Sequence, residues 1–495
     1  MTPSNLTKDD MKNTIALNWI DGQWVDSGTH RDSINPATYA RIGSYADAGL
    51  PEASGAVAAA GRALRDSAWQ DDRALRSRVL HELADAFERH AEQLIALLAS
   101  ENGKIEAEAR FEVSMVPSKL RYYAALVRTE HGRAAEPKPG SLSVLLREPM
   151  GVAGIIVPWN SPVVLMIRSL APALAAGCTT VIKMPGQTAQ TNALVAWIMS
   201  QAPSLPRGVV NLFSESGATG SKWLVESPDV PVISFTGSSA TGRAIAAVGA
   251  RHLKRFGLEL GGKTPMIVFD DADLDVAVPK LEKALTVFSG QFCMTGSRLL
   301  VQRGIADALR ARLAARLAEV KVGPASDPAS EMGPLIDKAN VARVDQVVRA
   351  AIAAGARVIV RGGPATEGAL AAGAFYRPTL LEVDDPDLDI VQKETFGPVL
   401  TLQIFDTEAE AIALANNSEY GLAASIWSRD IDRPLRVARR LEAGTVWIND
   451  WAVVYDEFEE GGYKQSGLGR LNGMAAMDDF IQYKHITLSS GSVPR

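Results

Sequence analysis

From residue 150 onward, short β-rich apolar runs alternate with alanine-rich stretches of helical length, and nothing else in the chain restricts its fold so strongly. The runs are "GVAGIIV", "TTVIKM", "GVVNLF", "PVISF" and "PMIVF", separated by stretches such as "SPVVLMIRSLAPALAAG" and "GQTAQTNALVAWIMSQ". A strand apolar at every position is covered on both faces, and an intervening helix returns the chain to begin the next strand parallel to the last. The pattern predicts a parallel, doubly wound α/β sheet, and a second alternating block over about 273–450 predicts another. At 495 residues the chain exceeds one simple core and divides into two or three domains. Residues 53–131 read as helices, with Leu75, Val79, Leu83 and Phe87 recurring every four residues and "ENGK" (101–104) as a C-terminal stop. "EPKPGSLSVLLREPM" (136–150) reads as a protruding hairpin suited to subunit contact.

Such a sheet invites a dinucleotide, yet no G-x-G-x-x-G follows any strand. In "SESGATG" (214–220), Glu215 and Ser216 stand where a phosphate turn would want glycine. The formal charge of −6 argues against a nucleic-acid partner. Cys178 and Cys293 form neither a metal-spaced cluster nor a disulfide framework, which suits a reducing compartment. The six histidines include no HExxH pair, so no metal is expected. The start "MTPSNLTKDDMKNT" lacks the apolar core of a signal peptide. "GVAGIIVPWNSPVVLMI" is interrupted by Pro158, Asn160 and Pro162 and closed by Arg168, too broken for a membrane span. The expectation is a soluble cytoplasmic protein.

Candidate chemistry begins at Cys293 in "SGQFCMTGSR". A lone cysteine usually packs as a small hydrophobe; a nucleophile needs a base, an oxyanion donor and an electron acceptor elsewhere. Asn160 in "VPWNS" is an amide in an apolar run between prolines, either a turn residue or a donor. In "FTGSSATGR" (235–243) a strand passes through Gly-Ser into a helix, which makes a cap or an anion site. Glu259 in "LELGGKTP" sits in an apolar run, where burial raises a carboxyl pKa toward that of a base working near neutral pH. Its alternative is a salt-bridged strand glutamate. "KETFGPVL" (393–400) offers Glu394 and Phe396 at a Gly-Pro turn, otherwise an ordinary loop.

Taken in order, "PWN", "FTGS", "ELGGK", "GQFC", "ETFGPV" and "GTVWIN" resemble the aldehyde dehydrogenase superfamily, nearly end to end from "NWIDGQWVDSG" (18–28) to "GGYKQSGLGR" (461–470). The resemblance implies two doubly wound parallel-sheet domains plus a small β oligomerisation arm. Residues 1–130 and 150–261 would bind NAD(P), 262–462 would carry the nucleophile, and 131–149 with 463–495 would form the arm and C-terminal strand of a homodimer or homotetramer. It implies that Cys293 attacks an aldehyde, that Asn160 and the Cys293 N–H hold the oxyanion, and that Glu259 activates water to hydrolyse the thioester. The hydride goes to the nicotinamide. Cofactor contacts carry over to Trp159, Lys183, Gly186, Gly237, Ser238, Glu394 and Phe396. Substrate contacts carry over to Met115, Ser161, Val164, Leu165, Arg168, Phe292, Met294 and Trp451.

The chain departs from the family pattern at four places. Gly186 replaces a glutamate common in NAD-preferring members, so NADP is tolerated beside NAD, with Lys183 available to a 2′-phosphate. Arg168 stands where some simple-aldehyde members have tryptophan, which points to a semialdehyde or aromatic aldehyde, or else to a structural ion pair. The opposite wall, "NDWAVVYDEFEEGG" (449–462), carries acids that oppose an anionic substrate, with Glu459 and Glu460 in place of Pro-Phe; Leu471 replaces the glutamate after "GLGR". A coenzyme-A-acylating enzyme and a non-catalytic relative are the competing readings.

Overall fold

A computed structural model describes residues 15–489. The charged start read as no signal peptide lies in residues 1–14, and residues 490–495 belong to the expected C-terminal strand; both lie outside the described residues.

Two large sheets dominate the structure. In the first, five parallel strands run in the order Arg255–Glu259, Val232–Thr236, Val152–Ile156, Thr179–Pro185, Val210–Glu215. Antiparallel strands Asn18–Ile20 and Gln23–Val25 extend one edge and Gly467–Leu468 the other. Two of the five strands, Val152–Ile156 and Val210–Glu215, are buried at every residue, as continuous apolar runs demand when helices cover both faces. Strand order reverses at Val152–Ile156, so a crevice opens there beyond the carboxyl ends.

The second sheet runs Arg357–Val360, Thr379–Glu382, Val399–Phe405, Gly296–Gln302, Thr264–Val268, Ala423–Trp427, Thr445–Ile448, all parallel except the first. A third, three-stranded antiparallel sheet joins the hairpin Arg133–Lys138 and Ser141–Pro149 to Ile481–Ser489. Its outer positions, Leu142, Leu146, Ile486 and Leu488 among them, are exposed. Residues 463–468 do not join this arm; their short strands pair with Tyr420–Gly421 and with the edge of the first sheet.

The helical region forms Leu50–Asp66, Arg73–Arg89, Ala91–Asn102 and Glu106–Thr129. Gly103 stops the third of these: it is left-handed, at φ 87°, and its N–H donates to Ala99. Glycine reaches that conformation without the strain a side chain incurs. Among the described residues no helix is long and apolar enough to cross a membrane.

Candidate active site

Strand direction brings the sequence motifs together. Asn160, Lys183, Gly237 and Glu259 lie at or just beyond the carboxyl ends of neighbouring strands in the first sheet. "ELGGK", Cys293 and Glu394 lie just before the amino ends of Thr264–Val268, Gly296–Gln302 and Val399–Phe405 in the second. The two edges meet at the paired glycines after Glu259. A Cβ on Gly261 would stand 2.7 Å from the Glu394 carboxylate, and one on Gly262 would stand 2.4 Å from the Cys293 carbonyl oxygen. Gly262 N–H also donates to Glu394 at 3.3 Å. Only residues without side chains permit this approach.

The loop before Cys293 is held in a costly shape. Phe288 and Ser289 are left-handed, at φ 51° and 57°, and Gly290 follows at 70°. Each such non-glycine residue costs about 1–3 kcal/mol, so the surroundings must over-determine it. Phe288 N–H donates to Glu108, Ser289 Oγ to the Gly333 carbonyl, and Gln291 bridges the Phe288 carbonyl and Ile336 N–H. Asn160 is buried and its Nδ2 donates to the Gln291 carbonyl at 3.0 Å, two residues before Cys293. An amide NH2 carries two protons, so one remains for a further acceptor.

The electrostatics divide this cluster. Burial raises the Glu259 carboxyl to about 8; Arg168 opposes the shift and Glu460 adds to it. One Glu259 oxygen is buried without a hydrogen-bond partner. Cys293 opens onto a cavity yet is otherwise ringed by protein, and burial pushes its thiol up to about 12 against the pull of Arg168. A nucleophilic cysteine reads from sequence as one whose site favours the thiolate. Here desolvation prevails over Arg168, a cation that is itself paired with Glu460.

That pairing reconciles two features that oppose each other in sequence. Arg168 projects from the helix Pro162–Ala176 into Glu460, and Glu460 in turn exchanges both backbone hydrogen bonds with Leu471 at 2.8 Å. Asp456 likewise takes Lys119 at 2.5 Å, while Glu459 turns away to cap Ala475 N–H. The acids and the cations of the wall serve one another.

Cys293 and Asn160 line one cavity of about 410 Å³. Met115, Ser161, Val164, Leu165, Arg168, Phe292, Met294 and Trp451 all line it too. Trp451 Nε1 donates to the Met294 carbonyl, and its ring meets Phe292 edge-on at 5.9 Å. On one wall, the helix Glu106–Thr129, sequence reasoning named only Met115, and Glu108, Phe111 and Lys119 face the cavity beside it. Their spacing of three or four residues is a single helical stripe, legible in the sequence had it been sought there. Lys280, Lys283 and Phe288 were missed as well.

The cofactor candidates lie around the crevice at the strand reversal. Trp159 and Phe396 pack edge to face at 5.5 Å. Ser238 accepts from Thr241 N–H and caps the helix Ser239–Gly249, whose first N–H groups favour an anion. Burial lowers the Lys183 ammonium, against Glu215 and Asp47. Burial raises Glu394 to about 7, against the Gly262 N–H bond. A cation and a helix N-terminus for phosphates, a carboxylate for a ribose diol, and flanking aromatics make a donor set that fits a dinucleotide.

Gly186, read in sequence as a missing carboxylate, is closely packed. A Cβ there would meet the Tyr45 hydroxyl at 2.5 Å and Ser216 Cα at 3.0 Å, so the side-chain direction is already filled. Gly186→Ala is therefore expected to destabilise the fold by about 1–3 kcal/mol through overpacking, and Tyr45→Phe should relieve part of it. Thermal unfolding of the single and double variants measures this; an unchanged midpoint for Gly186→Ala would show that the strand end yields freely.

Residues 24–486 match the model described as "Aldehyde dehydrogenase family". The chain is 39% identical over 472 residues to the betaine aldehyde dehydrogenase of Bacillus subtilis (strain 168), covering 94% of this chain and 96% of the relative. It is 36% identical over 487 residues to the 2-aminomuconic semialdehyde dehydrogenase of Danio rerio, covering 97% and 99%. A crystal structure of betaine aldehyde dehydrogenase from Staphylococcus aureus in complex with NAD+ superposes with a TM-score of 0.94 at 35% identity, covering 97% of this chain and 96% of that one.

Proposed function

Because the chain belongs to the aldehyde dehydrogenase family, oxidoreductases acting on the aldehyde group, we propose that it converts an aldehyde to the carboxylic acid through a thioester on Cys293 that water releases. The observation that carries this reading is the convergence of Cys293 and Asn160 on one cavity, with Glu259 close enough for its charge to act on the thiol. A thiol held near 12 is protonated at neutral pH, so as the Sγ–carbon bond forms its proton passes to solvent through the cavity. The free Asn160 amide proton and the Cys293 N–H then hold the thiohemiacetal oxyanion. Removing one donor of this kind costs about 2.7–4 kcal/mol of transition-state stabilisation. Glu259 takes a proton from water, and the resulting hydroxide adds to the thioester carbon and expels the Cys293 thiolate.

NAD+ or NADP+, when bound, supplies the hydride acceptor. Lys183 and the Gly237–Ser238 turn would hold its phosphates, Glu394 a ribose diol, and Trp159 and Phe396 would flank the nicotinamide end. No carboxylate at Gly186 repels a 2′-phosphate, so both cofactors are accepted. On this reading residues 1–130 and 150–261 form the cofactor domain and 262–462 the catalytic one. The arm, with its exposed leucines and isoleucine, pairs subunits of a cytoplasmic homo-oligomer.

Of the two substrate classes, an aromatic aldehyde fits better than a carboxylated semialdehyde. Arg168 is already neutralised by Glu460, and Phe292, Trp451, Met115 and Leu165 surround the path to Cys293. The other cations of the wall are engaged too, Lys119 with Asp456 and Lys280 with Asp450, while Lys283 acts on Glu108, so no unpaired charge selects an ionic aldehyde. A panel of aromatic, carboxylated and quaternary-ammonium aldehydes, assayed with NAD+ and NADP+ with and without coenzyme A, tests all of this. Expected are reduced cofactor and free acid, fastest with the aromatic members and indifferent to coenzyme A. Acyl-coenzyme A as product would assign the deacylating role to a thiol, and no turnover at all would leave a binding protein.

A further inference from the structure

One buried unit grips both loops on which the chemistry depends. Glu112 Oε1 accepts from Val163 N–H at 2.9 Å and Val164 N–H at 3.2 Å, in the first turn of the helix that follows Asn160. Its other oxygen pairs with Lys104 Nζ. Lys104 also donates to Ser161 Oγ at 2.9 Å and stands 3.9 Å from the centroid of the Phe288 ring. One turn before Glu112 on the same helix, Glu108 Oε1 accepts the Phe288 N–H at 2.9 Å. Asn102 completes the grip by donating to the Trp159 carbonyl at 2.6 Å. The segment 159–164 and the segment 288–293 are thus fastened to the single stretch 102–112.

The Lys104 and Glu112 side chains are 1% and 0% exposed. A buried ion pair seldom stabilises a fold better than apolar packing would, so its use lies in fixing geometry. What it fixes here is the position of Asn160 Nδ2 relative to Cys293. We propose that Lys104 and Glu112 are positioning residues, which hold the Asn160 amide at the place where the oxyanion forms. Glu108 anchors the nucleophile loop to the same helix. The inference rests on the roles assigned above to Cys293 and Asn160.

The probe is 4-nitrophenyl acetate, which needs no cofactor. Its acyl carbon bonds to Cys293 Sγ, the C–O bond breaks, and 4-nitrophenolate leaves as a coloured burst while the thiol proton passes to solvent. Misplacing a group by about 1 Å can cost up to about 100-fold, so Lys104→Met and Glu112→Gln should each slow the burst by roughly 10- to 100-fold with the NAD+ dissociation constant unchanged. Glu112→Gln keeps an acceptor for the two N–H groups and loses only the ion pair, so it remains informative if Lys104→Met does not fold. In an Asn160→Ala background either substitution should add less than about twofold, because residues acting through one another are non-additive. Multiplicative losses in the double variants, or a wild-type burst in Glu112→Gln, would overturn the proposal. A wild-type burst in Asn160→Ala alone would instead remove the oxyanion role on which it rests.

Discussion

Cys293→Ala is expected to fold, to bind NAD+ and to oxidise no aldehyde. The loss should be on the order of 10⁴- to 10⁶-fold in kcat/KM, the scale on which acyl-transfer enzymes fail without their nucleophile. At about 1.36 kcal/mol per tenfold, that is roughly 5–8 kcal/mol of barrier. Stability should hardly move. The thiol faces the cavity and holds no side-chain hydrogen bond among the described residues, while the loop's costly backbone is secured by Glu108, Ser289 and Gln291 instead. Cys178, the other thiol, cannot substitute: it is fully buried and donates to the Phe480 carbonyl. Cofactor fluorescence and calorimetry establish that the variant is intact, and the aldehyde panel then measures activity. An intact Cys293→Ala with full activity would end the covalent mechanism.

The fold was legible because its signal is long and redundant. Continuous apolar runs such as "VAGII" at 152–156 can only be doubly covered strands, and all five of those residues are buried. The three-dimensional meeting of Glu259, Cys293 and Glu394 was not derivable from spacing; it followed from resemblance, and the packing of Gly261 and Gly262 now supplies its physical reason. Three features escaped. The thiol state depends on the balance of desolvation against a cation already engaged by Glu460, a partner 292 residues away. Gly186 read only as an absent carboxylate, because nothing local reveals that Tyr45 fills its side-chain direction. Lys104 read only as part of the stop at 101–104, and Glu108 and Glu112 drew no reading. A charge pattern on an amphipathic helix does not tell which face another element will cover, and here the covering elements are the two reactive loops.

Glu259→Gln should separate the two halves of the reaction. Acylation should proceed, giving a burst of reduced cofactor near one equivalent per site, and the steady state should then fall by about 10²- to 10⁴-fold, the usual worth of a positioned general base. The pH dependence sharpens the test. With the carboxyl raised to about 8, most of the enzyme at neutral pH holds Glu259 protonated and unable to accept from water. Deacylation should rise with pH and level off above about 8, and in Glu259→Gln that rise should vanish. The same shift bears on stability with a definite sign. Folding raises this pKa above its unfolded value, so the folded state binds more protons, and the resulting stabilisation is complete below the unfolded pKa of about 4.5 and is lost as pH rises through 8. A shift of this size corresponds to a few kcal/mol at about 1.36 kcal/mol per unit, so Glu259→Gln should gain stability over the parent at alkaline pH while losing turnover. Burst kinetics and unfolding midpoints at pH 5 and pH 9 measure both effects. Slowed acylation with deacylation untouched, or a pH profile identical in parent and variant, would assign the water-activating role to another group.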